Sequence, residues 1–595
     1  MLLQRLKEYS KRIPSTPSMY GKMVIKWIID IDMDGQLQGI IPTSDGEKKN
    51  DKGKSFLAPH IGRASGIKAK LLADNGEYVL GKARKDSDTA RVKECNRAFV
   101  ELIKKAAECT NESTIYSILK FYEHTNCAEL ILKEDFDPSQ NLTFRINGIL
   151  PIDLPSIQKF WSGYTGEETN SKDGDVRGKD IMQCLICGEE KPAIRRLPFK
   201  IKRIPGGQTA GTAMISANSP AFESYGLEES LIAPTCQECG ERFSKAANSL
   251  LEGENTHITA GKLVYIFWTK EETGFSFASI LSKPEPGEVK MLVKSVFSGK
   301  KAAVEIDSTP FYATAFSASG ARVAVRDWLE TTVSNAQENL ARWFKLQQIV
   351  DVYTGDETLP SPIKGYFGKD KKWISGIIDD LAPEVKRRRD INGLSPNIFK
   401  VLIHAALNGG ALPMWLLYQA VRRNRAEQKV TISRAVLIKM VLQSQNNNFI
   451  EEDKMEQIDL ENRNPAYLCG RLLGVIESVQ MAAIPGAKAT VVDRFFGTAS
   501  SAPASVFGRL LRGAQFHLSK LRKEKRGTFE ALEKKLDEVQ SGLNSFPKTL
   551  TLEDQGRFAL GYYHQRAADR AGAIAYKQSQ QEEKNRKLDT ESSSA

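Results

Sequence analysis

Between residues 198 and 242 the chain reads Pro198-Phe-Lys200-Ile-Lys202-Arg203-Ile-Pro205-Gly206-Gly207-Gln208-Thr209-Ala-Gly211. It continues as Met214-Ile-Ser216-Ala-Asn218-Ser219-Pro220-Ala-Phe222-Glu-Ser224-Tyr225-Gly226 and closes on Cys236-Gln-Glu-Cys239-Gly240. A second pair, Cys184-Leu-Ile-Cys187-Gly188, stands just upstream. Zinc takes four soft ligands in a tetrahedron, and two Cys-x-x-Cys turns supply two thiolates each. A glycine after each second cysteine, Gly188 and Gly240, suits the sharp turn that aims backbone amides at sulfur. With Cys184, Cys187, Cys236 and Cys239 all used, no position stays open for water, so the metal is structural. The 48 residues between Cys187 and Cys236 exceed a compact ribbon and imply an insertion between the two turns. That insertion is basic, glycine-rich and polar. Glycines let backbone amides approach phosphates, while Gln208, Thr209, Asn218 and Ser219 are neutral hydrogen-bonders suited to sugars and base edges.

A chain of 595 residues exceeds the about 100–200 residues of a usual single domain, so more than one core is expected. Its 41% hydrophobic and 26% charged residues read as an ordinary globular protein. The charged amphipathic start is not a signal peptide, and no window approaches the about 20 apolar residues that span a bilayer. A cytoplasmic setting follows, with no membrane partner, and it favours metal over disulfide for the paired cysteines. Cys95, Cys109, Cys127 and Cys469 are scattered and read as small buried residues.

The first 90 residues are strand-rich. Met23 to Ile31 reads as a strand, Asp34-Gly35 as a hairpin turn before Leu37 to Ile41, and Tyr78 to Leu80 as a short strand. Arg91 to Cys109 and Ser113 to His124 read as helices, and Phe144 to Ile152 as a strand. Glu241 to Leu251 reads as a helix, Leu263 to Trp268 as a buried strand, Val304 to Ala318 as a sheet element, and Val325 to Val350 as a long helix. Strand signals disappear past Tyr353. The class is therefore α+β: a mixed, β-rich N-terminal domain over 1–355 with a zinc-ribbon-like, four-cysteine module near 180–242, then an all-α helical-bundle domain over 356–576. The boundary is expected in the Gly/Pro-rich segment 353–367, and the polar tail 577–595 is expected to be disordered.

Catalytic patterns are missing. The six histidines show no paired metal spacing or His-Asp doublet, and there is no Gly-x-Ser-x-Gly elbow. Gly53-Lys54-Ser55 is not a phosphate loop, because Lys48 stands where the first glycine is needed. No enzyme is expected.

Charge is more informative. Residues 481–595 hold 19 Lys and Arg against 13 Asp and Glu, more than half of the chain's excess of +11. At 100° per residue, Phe507, Leu510, Leu511, Ala514, Leu518 and Leu521 form an apolar stripe. Arg509, Arg512, Lys520 and Lys523 fall on the opposite face, and Lys525 drops onto the apolar arc, so the packed helix ends before it. A single-sign stripe backed by a packing stripe suits a helix lying along phosphates. Lys386 to Arg389 and Arg422-Arg423-Asn-Arg425 are further basic clusters that can join it in a groove.

Several blocks resemble the large subunit of the type I-C CRISPR surveillance complex, Cascade. They are Ser65-Gly-Ile67 with Asp74 to Gly81, Gly206 to Gly211 running into Ala221 to Gly226, Arg322 to Trp328, Asn464-Pro-Ala-Tyr-Leu-Cys-Gly-Arg471, and Phe558-Ala-Leu-Gly-Tyr-Tyr-His-Gln565. The resemblance implies a non-catalytic subunit that recognises a protospacer-adjacent motif in duplex DNA, helps open the duplex and holds the displaced strand. Base pairing with guide RNA then reads the sequence. Implied partners are the guide-RNA ribonucleoprotein with its backbone and guide-end subunits, and the helicase-nuclease. A small subunit made from an internal start is also implied. Met481, just before the basic helix, is the candidate start, giving a small-subunit-like bundle over 481–576. The competing readings are a zinc-ribbon nucleic-acid-processing enzyme and a structural RNA-binding bridge.

Overall fold

The computed structural model describes residues 1–44, 51–63, 66–84, 87–127, 129–130, 136–168, 180–217, 219–282, 284–297, 308–353, 366–367, 373–374, 376–385, 388–390, 393–445 and 455–592. They form two compact units, Met1–Glu252 with Ala318–Ala324, and Gly253–Ser317 with Val325–Ala595. The composition change at 353–367, read from sequence as the domain boundary, falls inside the second unit.

The first unit begins with helix α1 (Leu2–Tyr9) and strands β1 (Tyr20–Ile25) and β2 (Trp27–Ile31). The single strand expected over Met23 to Ile31 is broken at Lys26, because its halves join different sheets. β1 pairs with β4 (Lys54–Pro59). β2 lies between β3 (Leu37–Pro42) and β6 (Asn141–Ile146), antiparallel to one and parallel to the other, and β5 (Ala73–Asn75) pairs on the far side of β6. Gly35 makes the expected hairpin turn with φ +79°.

The expected strand at Tyr78 to Leu80 is instead helix α2 (Gly76–Val79), started by Asn75, whose side chain accepts from the Tyr78 amide at 3.3 Å. β6 ends before Asn147 and Gly148, both left-handed (φ +44° and +85°), so it cannot run on to Ile152. Helices α3 (Thr89–Thr110), α4 (Ser113–His124) and α5 (Pro155–Glu168) cover this sheet. A short hairpin, β7 (Ile181–Gln183) and β8 (Glu190–Pro192), and helix α6 (Gln237–Glu252) complete the unit.

The second unit contains a sheet of β9 (His257–Ala260), β10 (Leu263–Thr269), β11 (Pro310–Ser319) and β12 (Arg322–Thr332), in that spatial order. Every residue of β10 is buried, as a continuous apolar run predicts for a strand covered on both faces. Alternate residues meet different partners. Trp268 packs with Tyr312 and Trp328, while Phe267 stacks on Phe311. Helices α7 (Phe277–Ser282), α8 (Pro286–Phe297) and α9 (Val333–Leu346) follow this sheet's chain order. The long helix expected from Val325 starts only at Val333. The preceding residues finish β12, and Thr332 caps α9 by accepting from the Asn335 amide at 3.2 Å.

The rest of the unit is helical but not all-α, since two-residue hairpins occur at 366–367 with 373–374 and at 384–385 with 388–389. Its helices are α10 (Ile377–Leu381), α11 (Pro396–Asn408), α12 (Met414–Glu427), α13 (Ile432–Ser444), α14 (Pro465–Ala483), α15 (Val491–Ala499), α16 (Phe507–Glu524), α17 (Arg526–Ser541) and α18 (Leu552–Ser592). The expected disordered tail from Lys577 instead continues α18 as helix through Ser592.

α14 is the axis of this bundle. Ala466 through Glu477 are all buried, and α15 to α18 pack around it. It meets α18 at van der Waals distance through two glycines. A Cβ on Gly470 would lie 2.0 Å from the Phe558 carbonyl oxygen, and one on Gly561 would lie 2.1 Å from that of Tyr467. Polar bridges fix the register: Tyr467 Oη to His564 Nδ1 (3.0 Å), Arg471 to Gln565 (3.1 Å), and Tyr562 Oη to Glu477 (2.8 Å). Burial pushes His564 down to about 3, so it stays neutral here.

Gly561→Ala therefore forces two backbones apart and should cost at least the upper end of about 1–3 kcal/mol. Gly572→Ala, on the same helix in open space, should be neutral or stabilising by about 1 kcal/mol. Denaturant melts of the full chain test this. Equal effects of the two substitutions would contradict the close approach.

Candidate nucleic-acid interface

The four cysteine sulfurs come together, all within 4.8 Å of one another. Cys184 and Cys187 ride on the β7–β8 hairpin, where Gly188 turns with φ +78° and donates to the Cys184 carbonyl at 2.8 Å. Cys236 precedes α6 and Cys239 lies in its first turn. Gly240 differs from the sequence expectation. It is helical, and its missing side chain makes room for Ile194 and Leu197, with Ile194 Cδ1 2.9 Å from a built Cβ.

The Cys236 amide donates to Cys184 Sγ at 3.4 Å. Burial raises the Cys184 thiol, yet amides of Cys236, Cys187 and Ile186 bring it down to about 7, so a thiolate forms readily. Lys7 of α1 faces the cluster. Burial works against its charge, but Cys239 and Cys187 hold its pKa above the ordinary value. Gln4 on the same helix donates to the Ile186 carbonyl at 3.3 Å. The set fits a metal: four sulfurs, amide donors to sulfur, and a cation beside a group that would be doubly negative when loaded.

The insertion predicted between the cysteine pairs is an excursion whose base is closed at the cluster. Ile194 donates to Thr235 and Leu185 to Pro234, both at 2.9 Å. Within it, Ile201 and Thr212 bridge across the glycine turn. Gly206 is left-handed, a Cβ on Gly207 would lie 2.9 Å from Thr212, and one on Gly211 would lie 2.7 Å from Lys200. The amides of Gly207 and Gly211 are spent inside the turn, on the carbonyls of Ile204 and Gln208. These two glycines therefore shape the loop, with their amides engaged inside it.

Gln208 and Thr209 are exposed at the tip, and Ser219 is half-buried before a short 3-10 turn at Pro220–Phe222. Asn218 lies outside the described residues. Lys200 and Lys202 are exposed, with their backbone tied to Asn248 of α6 at 3.0 and 2.8 Å. Arg203 is left-handed (φ +61°) and sits 3.6 Å from Glu252, which blunts its charge.

Ala217 and Glu229 exchange two backbone hydrogen bonds, at 3.0 and 2.9 Å, and close a second loop. At its tip Ser224 and Leu227 bridge across Tyr225 (φ +54°) and Gly226 (φ +70°), a turn with two left-handed centres. Tyr225 is 99% exposed. An aromatic residue in that region is strained, and sequence reading did not single it out. Arg322 stacks on Phe222 at 3.6 Å, and Val323 and Ala213 share a 2.9 Å backbone bond that buttresses the loop.

In the second unit, α16 forms as its periodicity predicts. Phe507, Leu510, Ala514, Leu518 and Leu521 are buried, Leu511 is half-buried, and the helix ends at Glu524. Arg509, Arg512, Lys520 and Lys523 are exposed on the other face. Lys520 is partly held, donating to the Ala483 carbonyl at 3.0 Å, and Arg509 lies over the Phe495 ring at 5.5 Å. Phe516, 73% exposed, stands inside the same basic arc. Periodicity that separates an apolar arc from a basic one gives no signal for an aromatic ring lying among the cations.

The other basic clusters divide. Arg389 and Arg423 are turned inward with Arg434 onto Glu427, at 2.5, 2.7 and 2.5 Å. Burial opposes ionisation of Glu427, but the three guanidiniums hold it at about 2. Lys386 and Arg387 lie outside the described residues. Asp327, His404 and Tyr265 also form a group that sequence spacing could not reveal. Tyr265 Oη donates to Asp327 at 2.6 Å, and His404 Nδ1 is 2.9 Å from the same carboxylate. The Asp327 hydrogen bond holds His404 above its ordinary value despite burial.

Met481 sits in the last turn of α14. A chain starting there would lack the helix around which α15 to α18 pack, which is a physical objection to that start. Among the described residues no helix is long and apolar enough to cross a membrane. No curated protein matches the chain. The model of the family described as CRISPR-associated protein (Cas_Csd1) matches residues 2–569, which takes in both the cysteine-closed loop and the bundle. The chain thus belongs to the Csd1 family of Cascade large subunits, which act within a ribonucleoprotein complex.

Proposed function

We propose that the chain is a non-catalytic Cascade subunit that reads a short motif in duplex DNA with the loop at 201–229 and holds displaced strand along α16. The observation that carries the reading is the loop itself, a polar and aromatic tip raised on a base that four cysteines close. Gln208, Thr209 and Ser219 supply hydrogen bonds of the kind that read base edges, and Lys200 and Lys202 supply phosphate contacts. Tyr225 has the exposure and backbone strain of a side chain that enters a base step and opens it. The α16 stripe suits a strand already separated, since Arg512 and Lys523 track phosphates and Phe516 offers a face for a base. Recruitment of the helicase-nuclease is a further part of the proposal, supported by family membership alone.

Zinc is the proposed metal, because a closed set of four thiolates is the usual ligand set of a structural zinc site. A separately made small subunit would need α14, and the methionine that precedes that helix is Met455. We therefore place its start there rather than at Met481.

In the assembled complex, Tyr225→Ala or Gln208→Ala should weaken binding of motif-bearing duplex by about tenfold or more and leave single-strand binding intact. Changing Arg509, Arg512 and Lys523 to Gln should flatten the log–log salt dependence of single-strand binding by about 2. Equal losses on both ligands from the loop variants, or an unchanged slope, would sink the corresponding half. Metal analysis of the full chain should find about one zinc per chain. Cys239→Ser should lower that content and expose 201–229 to protease; a metal-free chain with an equally resistant loop would rule zinc out. Mass spectrometry of the complex should show a fragment beginning at Met455, and a fragment beginning at Met481 would contradict the assignment.

A further inference from the structure

Arg422 and Arg425, unlike Arg423, face away from the Glu427 cluster. They line a cleft of about 720 Å³ between α12, α15 and the start of α18, together with Tyr418, Arg494, Thr498 and Gln555. Three arginines and no acidic residue line the cleft. Glu427, the acid next to it in sequence, is already shared by Arg389, Arg423 and Arg434. Among the described residues no ion pair is recorded for Arg422, Arg425 or Arg494, and all three are exposed.

Helical geometry extends the cleft into a stripe. At 100° per residue Trp415, Tyr418, Arg422 and Arg425 fall within about 80° on one face of α12, spanning about 15 Å along its axis. Trp415 is 38% exposed and Tyr418 is 50% exposed. The opposite face, Leu416, Leu417 and Ala420, is buried in the core. Two large aromatic rings left in solvent beside unpaired arginines are not required by packing. Gln428 closes one end, donating to the Arg425 carbonyl and accepting from the Gly497 amide at 3.3 Å, so α12 and α15 are held in fixed relation.

We infer that the Trp415–Tyr418–Arg422–Arg425 face of α12, with Arg494 opposite, is a second binding site for single-stranded nucleic acid. Its rings stack on unpaired bases and its guanidiniums hold the phosphates between them. A duplex does not fit this chemistry, since its bases are already stacked on one another and present no free face to Tyr418. The inference deepens the strand-holding half of the proposed function and rests on it, but apart from Arg494 it uses residues remote in sequence from α16.

The test uses the full chain with labelled oligothymidine, oligouridine and a DNA duplex. Tyr418→Ala should weaken single-strand binding by about 5- to 150-fold, the range for losing one stacked base, while duplex binding stays unchanged. Tyr418→Phe keeps the ring and should bind like the native chain. Arg422→Gln with Arg494→Gln should reduce the log–log salt slope for single strands by about 1.4. The thymidine and uridine arms tell whether DNA or RNA is the occupant, and binding by either supports the site. Equal loss on single strand and duplex would overturn it. So would unaltered oligonucleotide binding accompanied by poor incorporation into the ribonucleoprotein, which would assign the face to a protein neighbour. If the α16 variant loses single-strand binding and the α12 variants do not, this inference fails and the proposed function stands. If neither surface matters, the strand-holding reading itself is wrong.

Discussion

The tightest backbone approach at any described glycine is the contact between α14 and α18. Two glycines, Gly470 and Gly561, let each helix backbone rest on the other's carbonyls, with no room for a single added carbon. The C-terminal helices of the second unit are placed by reference to that contact. α16 and α17 pack on α14. Arg471 reaches Glu538 of α17 at 2.8 Å, and Asp569 of α18 takes Lys535 at 2.7 Å and Ser478 at 2.9 Å. A basic stripe is useful to a polyanion only if its charges keep their spacing, and this axis provides that rigidity. The conformational cost of presenting the stripe is met in folding rather than in binding.

The first unit solves the same problem by a different route. The loop at 201–229 buries only a few apolar side chains, Ile201, Ile204 and Ala217 among them, so burial alone holds it weakly. Instead the base is closed by cysteines, the middle by the Ala217–Glu229 pair, and one flank by Arg322 and Val323. Lys7 links α1 to the same cluster. Loss of the proposed metal would therefore loosen the loop without dissolving the neighbouring sheet, whose separate core is built of aliphatic and aromatic side chains such as Ile29, Trp27, Phe121 and Phe144.

Much of this was legible in the chain itself. The four cysteines announced their cluster, the apolar and basic arcs of 507–523 announced α16 and its end, and the run Leu263 to Trp268 announced a buried strand. The misreadings have local causes. Lys26 splits a strand because its halves serve two sheets, which periodicity cannot show. Val325 to Thr332 carries enough spaced apolar residues to imitate a helix, while its β-branched end and the Thr332 cap place the helix start later. The tail has no apolar stripe, so composition suggested disorder where the long helix simply continues. Gly470 and Gly561, part of the blocks that carried the family resemblance, turn out to be packing positions. The α12 cleft was invisible for a plainer reason: Arg422, Arg423 and Arg425 are near neighbours in sequence, and only the fold decides that one is spent on Glu427 and two are not.

The proposed function divides the work between the loop at 201–229, which meets duplex, and the helical unit, which meets separated strand. Hydrogen–deuterium exchange of the full chain, with motif-bearing duplex and then with single strand, addresses it most directly. Slowed exchange is predicted at 201–229 with duplex alone, and along 507–524 with single strand alone. Protection of both segments by either ligand, or of neither by both, would contradict it.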